Sequence, residues 1–394
     1  MTASPRLEFR HSASGLNTQF NGDHLLFADY VTLTRNMIRQ ARLKTGTSNL
    51  EKIVAGNSPF ELKPTSGYQS GHGKPYSRGI LLTHGLTDSP YFMRYLAAFF
   101  QDQGFRVMAI LLPGHGTQPG DLLDVTWQEW AKAVAYGTDQ LAAEVDEIYL
   151  AGYSAGCALS IYQSLHDVRV RGLYLFSPAL EVSPRAAHAN RHKFYSWLNP
   201  SAKWVNIRPD QDIYKYESFP KNAAAQMYAL TQEISAALHQ HEINIPVFTA
   251  TSLDDTTAIV SATIAFMARA RHSNNKLVLY TTDTNKFPQD FPREKLELVN
   301  SVIPAQNILS SSHTAVVLPP DDPHYGLTGD YSNCVHYYPN DMEKYLTCNR
   351  QVSGILQGEI SEENLKRGIV QRLMVNPNFT ALKSSLAQFM GDLS

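Results

Sequence analysis

Leu150-Ala151-Gly152-Tyr153-Ser154-Ala155-Gly156 continues directly from the short apolar run that begins at Glu147. Gly-x-Ser-x-Gly after a strand is typical of a nucleophile elbow, a sharp strand-to-helix turn with a serine at its tip. Glycines suit the crowded backbone of such a turn because they have no Cβ. The pattern predicts that Ser154 is presented by the turn and is not buried. A small-residue turn in an ordinary strand-loop-helix unit would have the same sequence, so the rest of the chain must decide.

Apolar strands alternate with helix-length segments on both sides of this stretch. That alternation indicates a parallel sheet with helices on both faces, and buried central strands explain why the apolar runs are continuous. We therefore predict an α/β fold with a mostly parallel central sheet. The predicted strands are 79–83, 107–112, 147–150, 172–176, 245–250 and 276–280, and the predicted helices are 90–101, 127–141, 155–165 and 261–270.

The core is interrupted once and extended at both ends. The extensions and the insertion are segments where the strand-helix alternation stops. The predicted parts are an N-terminal extension (1–75) with one helix, a core (76–182 and 245–326), an inserted helical cap (183–244) and a C-terminal extension (327–394) that packs on the core.

Each extension has one predicted helix. In the first, apolar residues recur at helical spacing from Phe27 to Ala41. In the last, Ser361 opens a helix that runs through Leu373, with Leu365 and Ile369 on the same face as Leu373.

Composition excludes several classes of function. The formal net charge is −2, the pI is about 6.7, and the sequence has no run of Lys or Arg, so it does not predict the basic surface that nucleic-acid binding requires. No run approaches the roughly 18 apolar residues of a membrane span. Residues 1–22 lack the apolar stretch of a signal peptide, which predicts a cytoplasmic protein. A disulfide between Cys334 and Cys348 would instead indicate an exported or periplasmic one, and both alternatives stay open.

Serine is a poor nucleophile near neutral pH unless a histidine accepts its proton and a carboxylate orients that histidine. Two adjacent acids, Asp254 and Asp255, follow the predicted strand 245–250. We favour Asp255 as the acid because residues 256–260 then lead into a helix as such loops commonly do. Asp254 remains the alternative.

The predicted base is His313, which follows the apolar pairs Val302-Ile303 and Ile308-Leu309. His324 and His336 are competitors, but both lie farther along in loop-like sequence. A reaction through a tetrahedral intermediate also needs amide donors for the oxyanion. The amide after the serine belongs to Ala155, and Leu86, which follows Gly85 in an early glycine turn, is the predicted second donor.

Together these motifs resemble those of monoacylglycerol-lipase-like and carboxylesterase-like α/β-hydrolases over roughly residues 76 to 320. The matching motifs are His-Gly-Leu-Thr at 84–87, Leu-Pro-Gly-His-Gly at 112–116, Gly-Tyr-Ser-Ala-Gly at 152–156, the Asp255 loop and Ser312-His313. The early loop lacks the His-Gly-Gly-Gly form of another lipase branch.

The resemblance implies a serine hydrolase that cleaves carboxylic esters, with a cap over the acyl pocket and without a metal or organic cofactor. It implies a small-molecule ester or lipid-like acyl substrate. By matching motif, Ser154, Asp255 and His313 form the triad, and Leu86 and Ala155 form the oxyanion hole.

Two alternatives remain. An aminopeptidase or a thioesterase could use the same triad, and a catalytically inactive hydrolase fold could serve as a binding protein. The histidine pairs at 188/192 and 239/241 lack a convincing third ligand, so no metal site is predicted.

Overall fold

The computed structural model describes residues 6–46, 48–65, 73–183, 199–288, 291–350 and 354–393. The chain divides into two compact units. The first, here called the N-terminal unit, comprises residues 6–174 and 182–241. The second, the C-terminal unit, is formed chiefly by residues 175–181 and 242–394.

The N-terminal unit contains strands separated by helices, as the alternation predicts. Its strands are β1 (Phe60–Leu62), β2 (Tyr76–Thr83), β3 (Arg106–Ile110), β4 (Val145–Tyr153) and most of β5 (Val170–Phe176). The helices between them are α1 (Phe27–Lys44), α2 (Leu50–Asn57), α3 (Arg94–Asp102), α4 (Trp127–Glu144) and α5 (Ala155–His166). The described part of the insertion contributes β6 (Trp204–Asn206), β7 (Phe219–Pro220) and α6 (Lys221–Gln240).

The central strand of this unit is β2, which pairs in parallel with β3 and with β4. Leu81 of β2 lies opposite Met108 of β3 and Leu150 of β4, and all three side chains are fully buried. Helices cover the sheet, so apolar residues succeed one another along these strands instead of alternating with polar ones. The carboxyl ends of β2 and β4 lead into the loops that carry the predicted oxyanion residues and Ser154.

The N-terminal extension is more structured than its sequence predicts. Helix α1 confirms the predicted helix, with a buried face that runs from Phe27 through Ile38 to Ala41. The prediction of a single helix is wrong, because α2 forms a second one and β1 pairs antiparallel with β3. Both elements are short, so their apolar residues show too few periods to reveal a helix or a strand.

The C-terminal unit contains the parallel strands β8 (Val247–Ser252), β9 (Lys276–Thr281) and β10 (Leu296–Asn300). A separate parallel pair consists of β11 (Leu356–Gly358) and β12 (Val370–Arg372). The helices are α7 (Val260–Arg269), α8 (Met342–Asn349), α9 (Glu362–Arg367) and α10 (Phe379–Gly391). The segment 302–309 before His313 is not a strand, and its isolated bridges in the described residues join Ile303 to Ile308 and Ile308 to Gln357.

The predicted helix from Ser361 through Leu373 is wrong at its second half. Ser361 does cap the helix, since its side chain accepts a hydrogen bond from the Asn364 amide. The helix ends at Arg367 because Gly368 adopts a φ of 153°, and the chain then continues as β12. Because the helix ends here, β12 lies beside β11 and pairs with it in parallel.

Cys334 and Cys348 form a disulfide with a Cα–Cα distance of 6.0 Å. The two cysteines are fully buried and pack in a small apolar cluster with Tyr337 and Tyr345. Cys157 is a buried free thiol. The disulfide that the sequence leaves open is therefore present, and the compartment stays a prediction.

The predicted fold class, α/β with a mostly parallel sheet and surrounding helices, is confirmed. Within the described ranges, the helices lack the combination of length and apolar character that crossing a membrane requires. The predicted domain boundaries stay predictions, and residues 184–198 of the insertion lie outside the described part of the chain.

Candidate active site

Ser154 stands at the turn between β4 and α5. Its backbone has φ 55° and ψ −113°, a conformation that costs a non-glycine residue of order 1–3 kcal/mol unless its surroundings hold it. Gly156 makes the tight turn possible, because a Cβ there would lie 2.1 Å from the carbonyl oxygen of Thr83. The predicted exposure of Ser154 is wrong, since only 7% of the residue is accessible.

The loop after β2 explains this burial. A Cβ on Gly85 would lie 3.1 Å from the Ser154 Cβ, so the loop passes directly over the serine. Leu86 is the next residue of that loop and is half-buried. Ala155 begins α5, where the first amides of a helix lack intrahelical acceptors. The N-terminal unit therefore holds Ser154, Leu86 and Ala155 on two adjacent turns.

Two buried histidines shape the same loops. The His84 Nε2 accepts a hydrogen bond from the Leu112 amide at 3.1 Å, and the His115 Nε2 accepts one from the Thr87 amide at 3.1 Å. Burial lowers the pKa of His115 to about 4 and that of His84 well below its ordinary value. Both rings are thus neutral near pH 7, as acceptors of amide hydrogen bonds must be.

A lysine of the insertion also contacts the loop after β2. The Lys215 Nζ forms an ion pair with Asp88 and donates a hydrogen bond to the Thr87 Oγ1 at 3.0 Å. The neighbouring Tyr216 amide donates to the Thr87 carbonyl at 2.8 Å. Thr87 has a φ of 70°, and these contacts hold it in that left-handed conformation. Lys215 was not among the predicted site residues.

The C-terminal unit brings Asp255 and His313 together. The His313 Nδ1 donates to the Asp255 Oδ2 at 2.6 Å, and both side chains are almost fully buried. The other Asp255 oxygen accepts the amides of Thr257 and Ala258 at 2.7 and 2.9 Å. Burial raises the pKa of Asp255, but the His313 ring and these amides outweigh burial and leave the pKa below its ordinary value.

Asp254 has a different environment. Its two oxygens face the hydroxyls of Thr282 at 3.4 Å and Ser301 at 3.5 Å, and His313 is not among its hydrogen-bond partners in the described residues. Burial raises the pKa of Asp254 to about 6, with further contributions from the carboxylates of Glu359 and Glu363. The two adjacent aspartates therefore differ in partner and in charge state near pH 6.

The histidines that competed with His313 have other partners. His324 pairs with Asp330, outside the loops that follow the predicted strands. His336 lies beside Tyr337 in the cluster around the disulfide. In the described ranges no group of three His, Cys, Asp or Glu side chains could hold a metal ion, and residues 188 and 192 lie outside those ranges.

A comparison with protein families identifies the family of this chain. The model of the alpha/beta hydrolase family matches residues 80–326, which is more than half of the chain. The chain belongs to the alpha/beta hydrolase family. The resemblance inferred from the motifs is thereby confirmed at the level of the family.

The chain is similar in sequence to a monoacylglycerol lipase and to a carboxylesterase. This α/β-hydrolase is 27% identical over 164 residues to a thermostable monoacylglycerol lipase of Bacillus sp. (strain H-257). The aligned residues make up 41% of the chain and 64% of the relative. The chain is 22% identical over 161 residues to a carboxylesterase of Bacillus subtilis (strain 168), 40% of the chain and 64% of the relative. The chain thus spans less than two thirds of either relative's length.

Among solved structures, the metagenome-derived lipolytic enzymes LipS and LipT are similar to this α/β-hydrolase. The identity is 23% and the TM-score 0.47, over 57% of this chain and 87% of the other.

Glu359 is a residue near the site that sequence reasoning missed. It belongs to the C-terminal extension, which was predicted only to pack, yet its carboxylate accepts a hydrogen bond from the His313 amide at 3.1 Å. No local motif marks it. The only sequence signal nearby was Gly368 after Lys366 and Arg367, a helix-end pattern that would have revealed the break before β12.

Proposed function

We propose that this α/β-hydrolase is a serine hydrolase that cleaves carboxylic esters through an acyl-enzyme on Ser154. The observation that carries the proposal is the 2.6 Å hydrogen bond between the buried Asp255 and His313 side chains. A carboxylate bound to Nδ1 fixes the tautomer whose Nε2 can accept a proton, which is how a general base is prepared in a triad. The strained serine after β4 provides the matching nucleophile.

In the proposed reaction, His313 removes the Ser154 proton as the serine oxygen attacks the ester carbonyl. Asp255 orients the imidazole and stabilises the imidazolium that forms. The Leu86 and Ala155 amides donate to the oxyanion of the tetrahedral intermediate. The intermediate then collapses as the C–O bond to the leaving group breaks, and the His313 imidazolium gives its proton to that oxygen, so the alcohol leaves and His313 is neutral again. Water, activated by His313, hydrolyses the acyl-enzyme. These steps use side chains and amides alone, so we propose that no cofactor takes part.

The proposed substrates are small or lipid-like acyl esters. A monoacylglycerol lipase and a carboxylesterase are among the similar proteins, which supports this class. We also propose that segment 183–244 is the cap over the acyl pocket, because Lys215 and Tyr216 contact the loop that carries Leu86. A Lys215→Met variant that keeps the wild-type preference for acyl-chain length would argue against the cap.

The test uses the purified full chain with p-nitrophenyl acetate, butyrate and octanoate and with a fluorophosphonate probe. Wild-type protein should release p-nitrophenol and bind one probe per chain. Ser154→Ala should lose labelling and reduce kcat by about 10⁴-fold or more, since removal of a triad serine has effects of this order.

The matched control is Ser164→Ala on the same helix, α5. The Ser164 hydroxyl donates to the Ile161 carbonyl and has no other hydrogen-bond partner in the described part of the chain, so this variant should keep labelling and activity. Probe labelling that survives in Ser154→Ala would overturn the nucleophile. Acyl thioesters and aminoacyl p-nitroanilides are assayed beside these esters, and preferential turnover of either would replace the ester assignment with a thioesterase or an aminopeptidase.

A further inference from the structure

The Glu359 carboxylate joins the two loops that carry the proposed acid and base. Its Oε2 accepts hydrogen bonds from the His313 amide at 3.1 Å and, at a longer 3.4 Å, from the amide of Thr256, the residue after Asp255. The side chain of Glu359 is completely buried. One carboxylate oxygen therefore lies between the backbones of two loops that are more than fifty residues apart in sequence.

The other oxygen of Glu359 is paired with a cation. Its Oε1 accepts from the Ile360 amide at 2.7 Å and from the Arg372 Nη2 at 2.6 Å. The same Arg372 nitrogen donates to the Thr257 hydroxyl at 2.8 Å, so the arginine reaches the acid loop as well. Glu359 follows β11 and Arg372 ends β12, and the pairing of these strands brings the two residues together.

Burial of an ion pair is a poor means of stabilising a fold. Removing two charges from water costs several kcal/mol per ion, and apolar side chains of similar volume often do as well or better. A carboxylate among backbone amides does, however, fix their positions through charge-assisted hydrogen bonds. Its charge also acts on any group nearby that changes protonation during a reaction.

We propose that Glu359 is a positioning residue for the acid and base of the hydrolase, with Arg372 as the counter-ion that sets its charge. It holds the His313 and Asp255 loops at the separation that their hydrogen bond requires. Its negative charge favours the imidazolium that forms during catalysis, and the Arg372 charge opposes this effect. The inference rests on the proposed function, because it assigns Glu359 a role in the same reaction.

Several charged groups act on this pair of loops. They are Asp255 in contact with the His313 ring, its neighbour Asp254, Glu363 on α9, and Glu359 with Arg372. Apart from the Asp255–His313 bond itself, Glu359 is the group of this set that bonds to both loops in the described residues, and Arg372 bonds to Glu359 and to the acid loop. Changing these two charges should therefore have larger effects than changing the exposed Glu363, whose side chain is 85% accessible.

The experiment compares Glu359→Gln and Arg372→Gln in the full chain. The first readout is the acidic limb of the pH profile of kcat/KM, which reports protonation of the base in the free enzyme. The second is the pH at which the His313 imidazole signal titrates by NMR, a measurement that needs no turnover. Loss of the Glu359 charge destabilises the imidazolium, so Glu359→Gln should move both to lower pH by about one pH unit. Arg372→Gln should move both to higher pH.

Glu359→Gln should also reduce kcat/KM by about 10²-fold, since small displacements of catalytic groups have effects of that size. Arg372→Lys keeps the charge and should leave the titration near that of the wild type. Glu363→Gln removes the same charge as Glu359→Gln without the contacts, and should move the titration least. Where Glu359→Gln does not fold, Arg372→Gln carries the test through its opposite shift.

A purely structural pair would reduce kcat/KM in both Gln variants without moving the NMR titration in opposite directions, and that result would overturn the proposal. The proposed function fails separately. A wild-type protein that neither turns over esters nor reacts with fluorophosphonate would refute the hydrolase, while the NMR titrations would still decide whether Glu359 and Arg372 control His313.

Discussion

The turn that presents Ser154 is shaped by backbone, whereas the Asp255–His313 pair is held by side chains from distant parts of the chain. In the turn, backbone atoms lie so close to Gly152 and Gly156 that a side chain at either position would overlap with them. Around the pair, Asp255 accepts hydrogen bonds from two amides of its own loop, and Glu359 from the C-terminal extension accepts one from the His313 amide. The Ser154 turn therefore depends on the absence of side chains, whereas the Asp255–His313 pair depends on charged ones.

This difference predicts different kinds of sensitivity. Damage to the turn should act through steric overlap and be independent of pH, because no titrating group is needed to close it. Damage to the pair should act through protonation and hydrogen bonding.

Asp255→Asn should reduce kcat by about 10⁴-fold, the size of effect seen when a triad carboxylate becomes an amide and the histidine is held in the wrong tautomer. The amides of Thr257 and Ala258 can still donate to the Asn carbonyl oxygen, so the loop should keep its fold. The amide NH₂ would then face the His313 Nδ1. The measurement is kcat on p-nitrophenyl butyrate, with circular dichroism to verify folding.

The adjacent Asp254→Asn is the matched control for that variant. Among the described residues, the Asp254 carboxylate makes only long contacts, to the hydroxyls of Thr282 and Ser301, so the kcat of this variant should stay within about tenfold of the wild type. Loss of activity in Asp254→Asn together with a functional Asp255→Asn would exchange the roles of the two residues.

Gly156→Ala should lower the free energy of unfolding by about 3 kcal/mol, the upper part of the range for overpacked sites. The new Cβ would lie 2.1 Å from the Thr83 oxygen and 2.8 Å from the His84 oxygen, and neither backbone group can rotate away. Urea unfolding between pH 5 and 7.5 should show the same decrease at each pH. Labelling of Ser154 by fluorophosphonate should also become slower.

Gly391 near the end of α10 provides the comparison for Gly156, since a Cβ there meets nothing within 4 Å. Gly391→Ala should leave stability and labelling unchanged. Wild-type stability in Gly156→Ala would mean that the turn can relax, and the backbone explanation would then be wrong.

The same distinction explains what could be predicted from the sequence. Ser154 and its turn are encoded within seven consecutive residues, and the buried strands around them have a continuous apolar pattern. The turn and the strands are local features, so spacing and residue type were sufficient to predict them. Asp255 and His313 are predicted from their places after apolar segments, although the segment before His313 is not a strand, and their catalytic roles stay predictions.

Glu359, Lys215 and the short elements β1 and α2 could not be predicted in this way. Glu359 lies 46 residues after His313, and its contact depends on the pairing of β11 with β12. Lys215 acts on Asp88 and Thr87 from an insertion whose path the sequence does not reveal. Each role is defined by a partner far along the chain, and a single sequence contains no record of that partner.

Asp254→Asn should change the free energy of unfolding by less than Gly156→Ala does, and the change should appear only as the pH rises above about 4. The folded-state pKa of Asp254 is about 6, above the ordinary value of 3.8, so the folded protein binds more protons than the unfolded chain between these values. Stability therefore falls as pH rises from 4 to 6, and the buried charge remains unfavourable above pH 6. Asn lacks this charge. Relative to the wild type, the variant should be unchanged near pH 4 and more stable at pH 7.5 by about 1 kcal/mol, after allowance for partial exposure.

Asp255→Asn should show the opposite dependence in the same urea titrations. The pKa of Asp255 is below its ordinary value, so the ionised Asp255 stabilises the folded state at neutral pH, and this contribution disappears as pH falls through the folded pKa. The destabilisation by Asp255→Asn should thus be largest at pH 7.5 and shrink in acid. The contrary outcome would be that both aspartate variants differ from the wild type by the same free energy of unfolding at every pH. In that case packing alone would govern the surroundings of Asp255 and His313, and the contrast with the Ser154 turn would not hold.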